Sequence, residues 1–255
     1  MTIGLVRALA ADPAAGRPLV HLLGHPRVSG AGGEAGLADS GARLRAYLSL
    51  NDGEIDRRRV AGTLWPDTDE VRAAGNLRTA LWRLKGTGLP LVEAGKSSLS
   101  LGRDVQVDVH LLGDWAARMI SGEFTADDVA HTPWDLGRLE MLPGWYDDWV
   151  LLDRERLRQR LLHALEVLAR ALVDAGHCAE AVDVALVAAT ADPLRESAQR
   201  VLIEAHLAEG NRGEARRRFD EHRDLLAREL GVEPSPVLVA LVAGVRPHRE
   251  PPPAL

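Results

Sequence analysis

The most constraining feature of this sequence is an internal repeat with a period of 34 residues. Gly176 is followed four and five residues later by a Glu-Ala pair, and Gly210 is followed at the same offsets by a second Glu-Ala pair. Leu168 and Leu202 are separated by the same interval, within a helical pattern that runs almost without interruption from Asp153 onward. A regular period of this kind indicates a repeated helix-turn-helix unit, so the C-terminal half of the chain is predicted to be all α.

A period of 34 residues is typical of tetratricopeptide repeats, in which paired helices stack because neither can bury its apolar face alone. Pro193 supports the boundary between the two units. Two units are marginal for such a stack, so we expect residues 111–152 to help cap it. The sequence therefore predicts a tetratricopeptide-like repeat domain over residues 111–246, with flexible tails at residues 1–17 and 247–255.

Residues 18–110 show a different pattern of short strands and short helices. Leu19–Val28 predicts two strands, and the Gly-rich stretch Ser29–Gly41 is too flexible to be regular structure. Three helices are predicted next, at Ala42–Leu50, from the capping residue Asp56 to Leu64, and at Val71–Lys85. They are followed by a predicted hairpin at Leu91–Leu101 and a predicted strand at Val105–Val109. This order favours a winged helix-turn-helix. The predicted fold class is thus mainly α: an N-terminal winged helix-turn-helix (α+β) followed by an all-α tetratricopeptide-like repeat domain.

The third helix is the predicted DNA-reading element. Opposite its apolar face it carries Arg72, Asn76, Thr79 and Arg83 at i, i+4, i+7 and i+11. These side chains supply a guanidinium fork for guanine or phosphate, an amide for adenine and a methyl group for thymine. The flanking residues suited to phosphates are Arg78 and Lys85 on the helix and Lys96, Ser97 and Ser98 at the hairpin tip. The alternative interpretation is an ordinary solvated helix face.

Local charge favours the DNA interpretation. Residues 40–103 hold 11 Lys/Arg against 7 Asp/Glu, whereas residues 111–255 hold 17 against 25. The formal net charge of −6 argues against a nonspecific coat on nucleic acid. The two parts of the chain are therefore predicted to face different partners.

Five motifs together resemble the Streptomyces antibiotic regulatory protein (SARP) family of transcriptional activators. They are Leu64–Asp67 (LWPD), Ala74–Leu84 (AGNLRTALWRL), Met141–Trp149 (MLPGWYDDW), Asp153–Arg158 (DRERLR) and Glu229–Ser235 (ELGVEPS). The resemblance implies an OmpR/PhoB-like winged helix joined to a bacterial transcriptional activator domain (BTAD) with tetratricopeptide-like repeats. It also implies binding to direct repeats near promoters of biosynthetic gene clusters and recruitment of RNA polymerase.

The resemblance places the family's base-reading positions on Thr79 and Arg83, with Asn76 and Arg72 upstream and Trp82 packing or touching the DNA backbone. Together with the residue chemistry above, it gives a full set of predicted contacts. The predicted base contacts are Asn76, Thr79 and Arg83. The predicted backbone contacts are Arg72, Arg78, Trp82, Lys85, Lys96 and Ser97. The chain departs from the family pattern in two places: the wing at Gly95–Ser98 has a single lysine, and the insert Ser29–Gly41 lengthens the connection to the first helix.

Other chemistry has less support in the sequence. Gly30–Ala35 fits GxGxxA loosely, but turn residues delay the helix that a dinucleotide site needs. Gly95–Ser97 lacks the earlier glycine of a phosphate loop, since Pro90 stands there. The remaining candidate groups are His163, His177 and Cys178, which show no metal-ligand spacing, and Glu140, Asp147 and Asp148, which lie in an aromatic-rich structural junction. The sequence thus predicts no enzyme, no cofactor and no metal site.

Two functional hypotheses follow. The first is a sequence-specific transcriptional activator whose partners are double-stranded promoter DNA, RNA polymerase (the sigma subunit and its neighbours) and a second protomer on tandem repeats. The second is a tetratricopeptide-type interaction or ligand-sensing scaffold whose winged helix no longer reads DNA. No apolar run approaches the roughly 18 residues that span a bilayer, no secretory signal is evident, and Cys178 is the single cysteine. We therefore expect a cytoplasmic, nucleoid-associated protein with no membrane partner.

Overall fold

The computed structural model describes residues 17–30, 33–36, 39–51, 53–86 and 90–243. It divides into two compact units, one comprising residues 1–114 and 138–157 and the other residues 115–137 and 158–255. Helices dominate both units, so the mainly helical fold class is confirmed. The predicted tails at 1–17 and 247–255 lie outside the described residues, apart from Arg17.

The first unit begins with a four-stranded sheet of order β3-β2-β1-β7. Its strands are β1 (Leu19–His21), β2 (Arg27–Gly30), β3 (Gly33–Gly36) and β7 (Gln106–Val107). β2 pairs with β1 and β3 in antiparallel register, and β7 pairs with β1 in parallel register. The prediction of an irregular Ser29–Gly41 is therefore wrong at β3, because backbone pairing with β2 orders a segment that has few side chains of its own.

Three helices follow: α1 (Asp39–Leu50), α2 (Arg57–Leu64) and α3 (Glu70–Lys85). The predicted cap of α2 is confirmed, since the Asp56 carboxylate accepts hydrogen bonds from the backbone amides of Arg58 and Arg59. Asp69 caps α3 in the same way, accepting from Arg72 N at 2.8 Å. The apolar faces of the three helices share one core with members such as Leu48 and Leu81.

The predicted hairpin forms a second sheet of order β4-β6-β5. β4 is Ile55–Asp56, β5 is Val92–Ala94 and β6 is Ser98–Leu101. β5 and β6 pair in antiparallel register around a turn at residues 95–97, which confirms the hairpin interpretation of this segment. β4, which leads directly into α2, pairs with β6 and so holds the hairpin beside that helix.

A buried carboxylate decides where the next helix begins. The predicted strand Val105–Val109 is wrong beyond Val107, because Asp108 starts α4 (Asp108–Ser121). Its carboxylate accepts the backbone amides of Leu22 and Leu23 at 2.9 and 3.0 Å. Burial raises the pKa of Asp108 to about 6, against the lowering effect of these hydrogen bonds. The predicted domain limit at residues 110 and 111 falls inside α4.

The segment 138–157 packs with the first unit. The edge of Trp149 meets the face of Tyr47 on α1, with ring centroids 5.2 Å apart. The Arg154 guanidinium donates to the carbonyl oxygens of Met141, Leu142 and Trp145, which fixes the loop before α6 (Asp148–Asp174). These contacts make the MLPGWYDDW motif a structural junction of the first unit.

The second unit is built from helices alone. It contains α5 (Ala126–Ala130), the C-terminal part of α6 and four further helices. These are α7 (Cys178–Ala191), α8 (Glu196–Glu209), α9 (Arg212–Leu230) and α10 (Pro236–Ala243). A short 3-10 helix (Leu136–Leu139) spans the boundary between the units. No helix among the described residues has both the length and the apolar character needed to cross a bilayer.

The 34-residue interval recurs in the backbone of this unit. Gly176 and Gly210 both adopt positive φ angles, of 82° and 90°, at the C-terminal ends of α6 and α8. The amide of His177 donates to the carbonyl of Leu172, and the amide of Asn211 donates to the carbonyl of His206, each at 2.8 Å. Both turns thus end a helix in the same way, which favours glycine at their left-handed positions.

Candidate nucleic-acid interface

α3 has one buried face and one exposed face. Its buried residues are Ala73, Leu77, Ala80, Leu81 and Leu84. At about 100° per residue, Arg72, Asn76, Thr79 and Arg83 fall within an arc of about 60°, centred about 110° around the helix from the buried residues, and all four are exposed. The structure therefore brings the predicted base-reading residues together in one row, which we call the recognition row.

The side chains of the recognition row differ in how far they are engaged within the protein. The Thr79 hydroxyl donates to the Gly75 carbonyl at 3.1 Å, so its methyl group and its oxygen lone pairs stay available. Arg72 Nε lies 3.5 Å from Asp69, with both side chains largely in water, a geometry that contributes little to stability. The Asn76 side chain is exposed. Both guanidinium and amide donors are thus presented to solvent.

A second row of α3 side chains lies beside the first. It consists of Val71, Gly75, Arg78, Trp82 and Lys85, at successive spacings of four, three, four and three residues. The Trp82 ring is 75% exposed although it belongs to a helix with a well-formed apolar face. A large exposed aromatic side chain between two cations matches a surface that contacts another molecule. The predicted backbone contacts Arg78, Trp82 and Lys85 therefore share one stripe.

The hairpin tip offers a single cation. Lys96 and Ser97 are exposed, and the Ser97 carbonyl accepts the Arg57 amide at 2.8 Å. The Ser98 hydroxyl donates to Glu54 at 2.7 Å, so this serine is engaged within the protein and is a poorer phosphate ligand than the sequence predicts. Lys96 remains the basic group of the tip.

Sequence reasoning did not single out Arg57, Arg58 and Arg59, which form the first turn of α2. The available signal was the run of three arginines directly after the capping residue Asp56. Arg58 and Arg59 are exposed, and Arg57 is half-buried. This run adds a basic edge next to α3.

Several of the other candidate groups lie beside local polar partners. Within the described residues, no group of three or more His, Cys, Asp and Glu side chains is placed to hold a metal ion. His177 Nδ1 lies 3.5 Å from Glu180, Arg43 binds Asp147, and Arg154 lies 3.9 Å from Glu140. Asp147 and Glu140 thus take part in local ion pairs.

Comparison with known proteins decides the family. Residues 116–246, about half of the chain, match the bacterial transcriptional activator domain. The chain belongs to this family. Regulation of transcription is the general function to which this membership assigns the chain.

Two curated regulators are similar to this BTAD protein. The regulatory protein AfsR of Streptomyces griseus is 30% identical over 213 residues, and AfsR of Streptomyces coelicolor is 30% identical over 210 residues. Each match covers 78% of this chain but 21% of the relative, so the chain spans about a fifth of the length of these proteins. These matches confirm the predicted resemblance to the SARP family.

A solved structure shares the fold. Mycobacterium tuberculosis EmbR, determined in complex with a low-affinity phosphopeptide, superposes with a TM-score of 0.70 at 18% identity. The match covers 89% of this chain and 64% of EmbR. At this identity the comparison supports the architecture alone.

Proposed function

We propose that this BTAD protein is a sequence-specific DNA-binding activator that controls a secondary-metabolite (antibiotic) gene cluster. In this proposal residues 18–110 form an OmpR/PhoB-like winged helix, with α2 and α3 as the helix-turn-helix and β5–β6 as the wing. The paired helices of residues 111–246 act as tetratricopeptide-like repeats. The observation that carries the proposal is the recognition row, a set of exposed groove-competent side chains on a helix that buries another of its faces.

Each predicted site residue receives a role in the proposal. Asn76, Thr79 and Arg83 contact base edges, as their donor, acceptor and methyl groups allow. The groups assigned to the phosphate backbone are Arg72, Arg78, Trp82, Lys85, Lys96 and Ser97. The two groups of residues have different roles, because phosphate contacts set the register of the protein on DNA while base contacts supply the sequence preference.

The proposed partners follow from this role. Two protomers occupy tandem half-sites on one face of the DNA, each with α3 in a major groove. The second unit then recruits RNA polymerase through the sigma subunit and its neighbours. The acidic balance of residues 111–255, with 17 basic against 25 acidic residues, supports a protein partner for that region rather than a DNA partner.

Fluorescence anisotropy on half-site duplexes obtained by in vitro selection tests the proposal. The four cations assigned to phosphates predict that log K falls with log salt at a slope of about −3.5 per protomer. Specific binding also has to survive competition from an unrelated duplex. If selection enriches no sequence and no duplex competes in a sequence-dependent way, the protein is instead an interaction scaffold that does not read DNA.

A further inference from the structure

A groove between α2 and α3 takes part in the proposed reading of DNA through one lining residue, Arg78. Its volume is about 430 Å³. Among its lining residues are Arg57, Arg58, Trp65, Ala73, Leu77 and Arg78. The floor is apolar, and the guanidinium groups form its basic border. The groove is therefore suited to an acidic ligand that also carries an apolar group.

The positive charge in this groove is incompletely balanced by the protein. Arg58 Nε lies 3.6 Å from Glu70, but both side chains are mostly in water and hold one another weakly. Arg57 is half-buried, its Nε is buried, and no described residue accepts a hydrogen bond from that nitrogen. The three arginines that line the groove outnumber its one carboxylate, so an acidic occupant would offset the remaining positive charge.

The groove remains open when α3 reads DNA. Of the α3 residues that line it, Ala74 lies more than about 120° around the helix from the centre of the recognition row, and Arg78 is the one assigned to a phosphate. Ala73 and Leu77 lie on the buried side. DNA held against the recognition row therefore leaves the floor of the groove free for another partner.

The same chain also carries an exposed surface that combines acidic and apolar side chains. The first turns of α6 present Asp148, Leu151, Leu152 and Glu155 at i, i+3, i+4 and i+7, which places them on one helix face. All four are exposed, with Leu151 at 41% and Leu152 at 53%, and the exposed ring of Tyr146 precedes them. This α6 ridge has two leucines between two carboxylates, which complements the apolar floor and basic border of the groove.

We propose that the α6 ridge of one copy docks into the α2–α3 groove of the next copy on tandem DNA half-sites. The inference rests on the proposed function, because direct repeats place neighbouring copies head to tail. A head-to-tail contact joins two different surfaces of the same chain, as the ridge and groove do. The contact is small, so it acts where DNA raises the effective concentration of one copy beside the other.

Four variants test the two surfaces. Arg57→Glu reverses the charge of the groove, and its matched control Arg59→Glu makes the same change on the same helix outside the groove lining. Leu152→Ser removes an apolar group from the ridge, and Leu186→Ser is the control at an exposed leucine of α7. Circular dichroism and thermal melting establish that each variant is folded.

A fifth variant changes the shape of the groove without changing its charge. Gly62 lines the groove, lies inside α2, and has open space where a Cβ would stand. Gly62→Trp should therefore fill the groove while the helix is kept. Its control is Gly213→Trp in α9, another helical glycine with open space around it.

The measurement compares binding to a duplex with one half-site and a duplex with two. Cooperative coupling between sites is typically about 5- to 150-fold. Coupling compares two-site with one-site binding of the same protein, so a loss of one-site binding in Arg57→Glu or Arg59→Glu, whose arginines lie next to α3, does not affect it. In the groove and ridge variants this coupling should fall to about 1-fold. The control variants should keep the wild-type coupling.

A mixture of Arg57→Glu and Leu152→Ser proteins gives the decisive result. A head-to-tail pair uses the ridge of one copy and the groove of the other. The Arg57→Glu protein keeps its ridge and the Leu152→Ser protein keeps its groove, so one copy of each can form the contact. Coupling that returns in the mixture supports the proposal. Wild-type coupling in the separate variants, or lost coupling that no mixture restores, overturns it.

Failure of the contact and failure of the proposed function give different results. If coupling is unchanged but activation of transcription by purified polymerase is lost, the groove receives another protein and the proposed second-copy contact is wrong. If the wild type does not bind one half-site, the proposed function itself fails and the contact fails with it. Binding to one half-site without coupling on two overturns the contact alone.

Discussion

Replacing Arg195 with leucine should destabilise the second unit by about 3 kcal/mol. Arg195 Nε donates to the Glu166 carboxylate at 2.6 Å, and the Glu166 side chain is 3% exposed. Removing one partner of a buried ion pair typically costs about 3 to 5 kcal/mol, because a charge remains without compensation. Ser197 Oγ still donates to the same carboxylate at 2.7 Å, so we expect the lower end of that range.

Urea unfolding followed by circular dichroism, with thermal melting beside it, measures the effect. A loss of about 3 kcal/mol corresponds to a fall in Tm of roughly 10 °C for a unit of this size. The matched control is Arg156→Leu, which removes an ion pair to Asp153 at 3.1 Å whose arginine is 68% exposed. That exposed pair should contribute no more than about 1 kcal/mol.

A double-mutant cycle then separates the pair from its parts. Replacing Glu166 and Arg195 together by leucine removes both charges, so the double variant should lose less stability than the two single variants combined. The reasoning is refuted if Arg195→Leu costs no more than Arg156→Leu. It is refuted equally if the two single effects add without coupling, since the buried pair would then contribute nothing as a pair.

The remaining predictions concern DNA and pH. Arg83→Ala should weaken binding to the selected site by about 1 to 3 kcal/mol and relax the base preference at one position. Lys96→Ala should weaken binding to all duplexes evenly, and competition assays measure both effects. Unchanged specificity in Arg83→Ala would mean that α3 lies on the DNA in another orientation. Because burial raises the pKa of Asp108 to about 6, its contribution to stability is complete below about pH 4 and falls as pH rises through 6. Urea titrations at several pH values should show that the free energy of unfolding of Asp108→Asn depends less steeply on pH over this range than that of the wild type. An unchanged dependence on pH would assign the loss of stability to another group. Burial lowers the pKa of His222, and of His206 in the same unit, so the stability of that unit should fall as pH drops through about 6.5. His222→Leu should reduce that acid sensitivity by more than a substitution at the exposed His177 does.

The elements predicted well from sequence depend on neighbours in the chain. The cap of α2 requires Asp56 and amides two and three residues later, and the hairpin requires a turn between two alternating runs. The 34-residue interval was visible because the same turn, with glycine at a positive φ angle, occurs at Gly176 and Gly210. Such local constraints leave a direct trace in residue order.

The elements that sequence reasoning missed depend on distant partners. β3 is ordered by pairing with β2, although half of its own residues are glycine. α4 begins at Asp108 because that carboxylate accepts amides more than 80 residues earlier in the chain. In neither case does the local sequence carry the signal, since the stabilising partner is supplied only after the chain has folded.

The candidate site divides in the same way. The sequence by itself determined the recognition row, because helical periodicity alone fixes which residues of α3 share a face. Only the tertiary structure joined α2 to α3 in a groove bordered by Arg57 and Arg78, and only it left the α6 ridge exposed while Trp149 packed against Tyr47. Periodicity specifies the faces of one helix, whereas packing between distant segments decides which of those faces remain available to a partner.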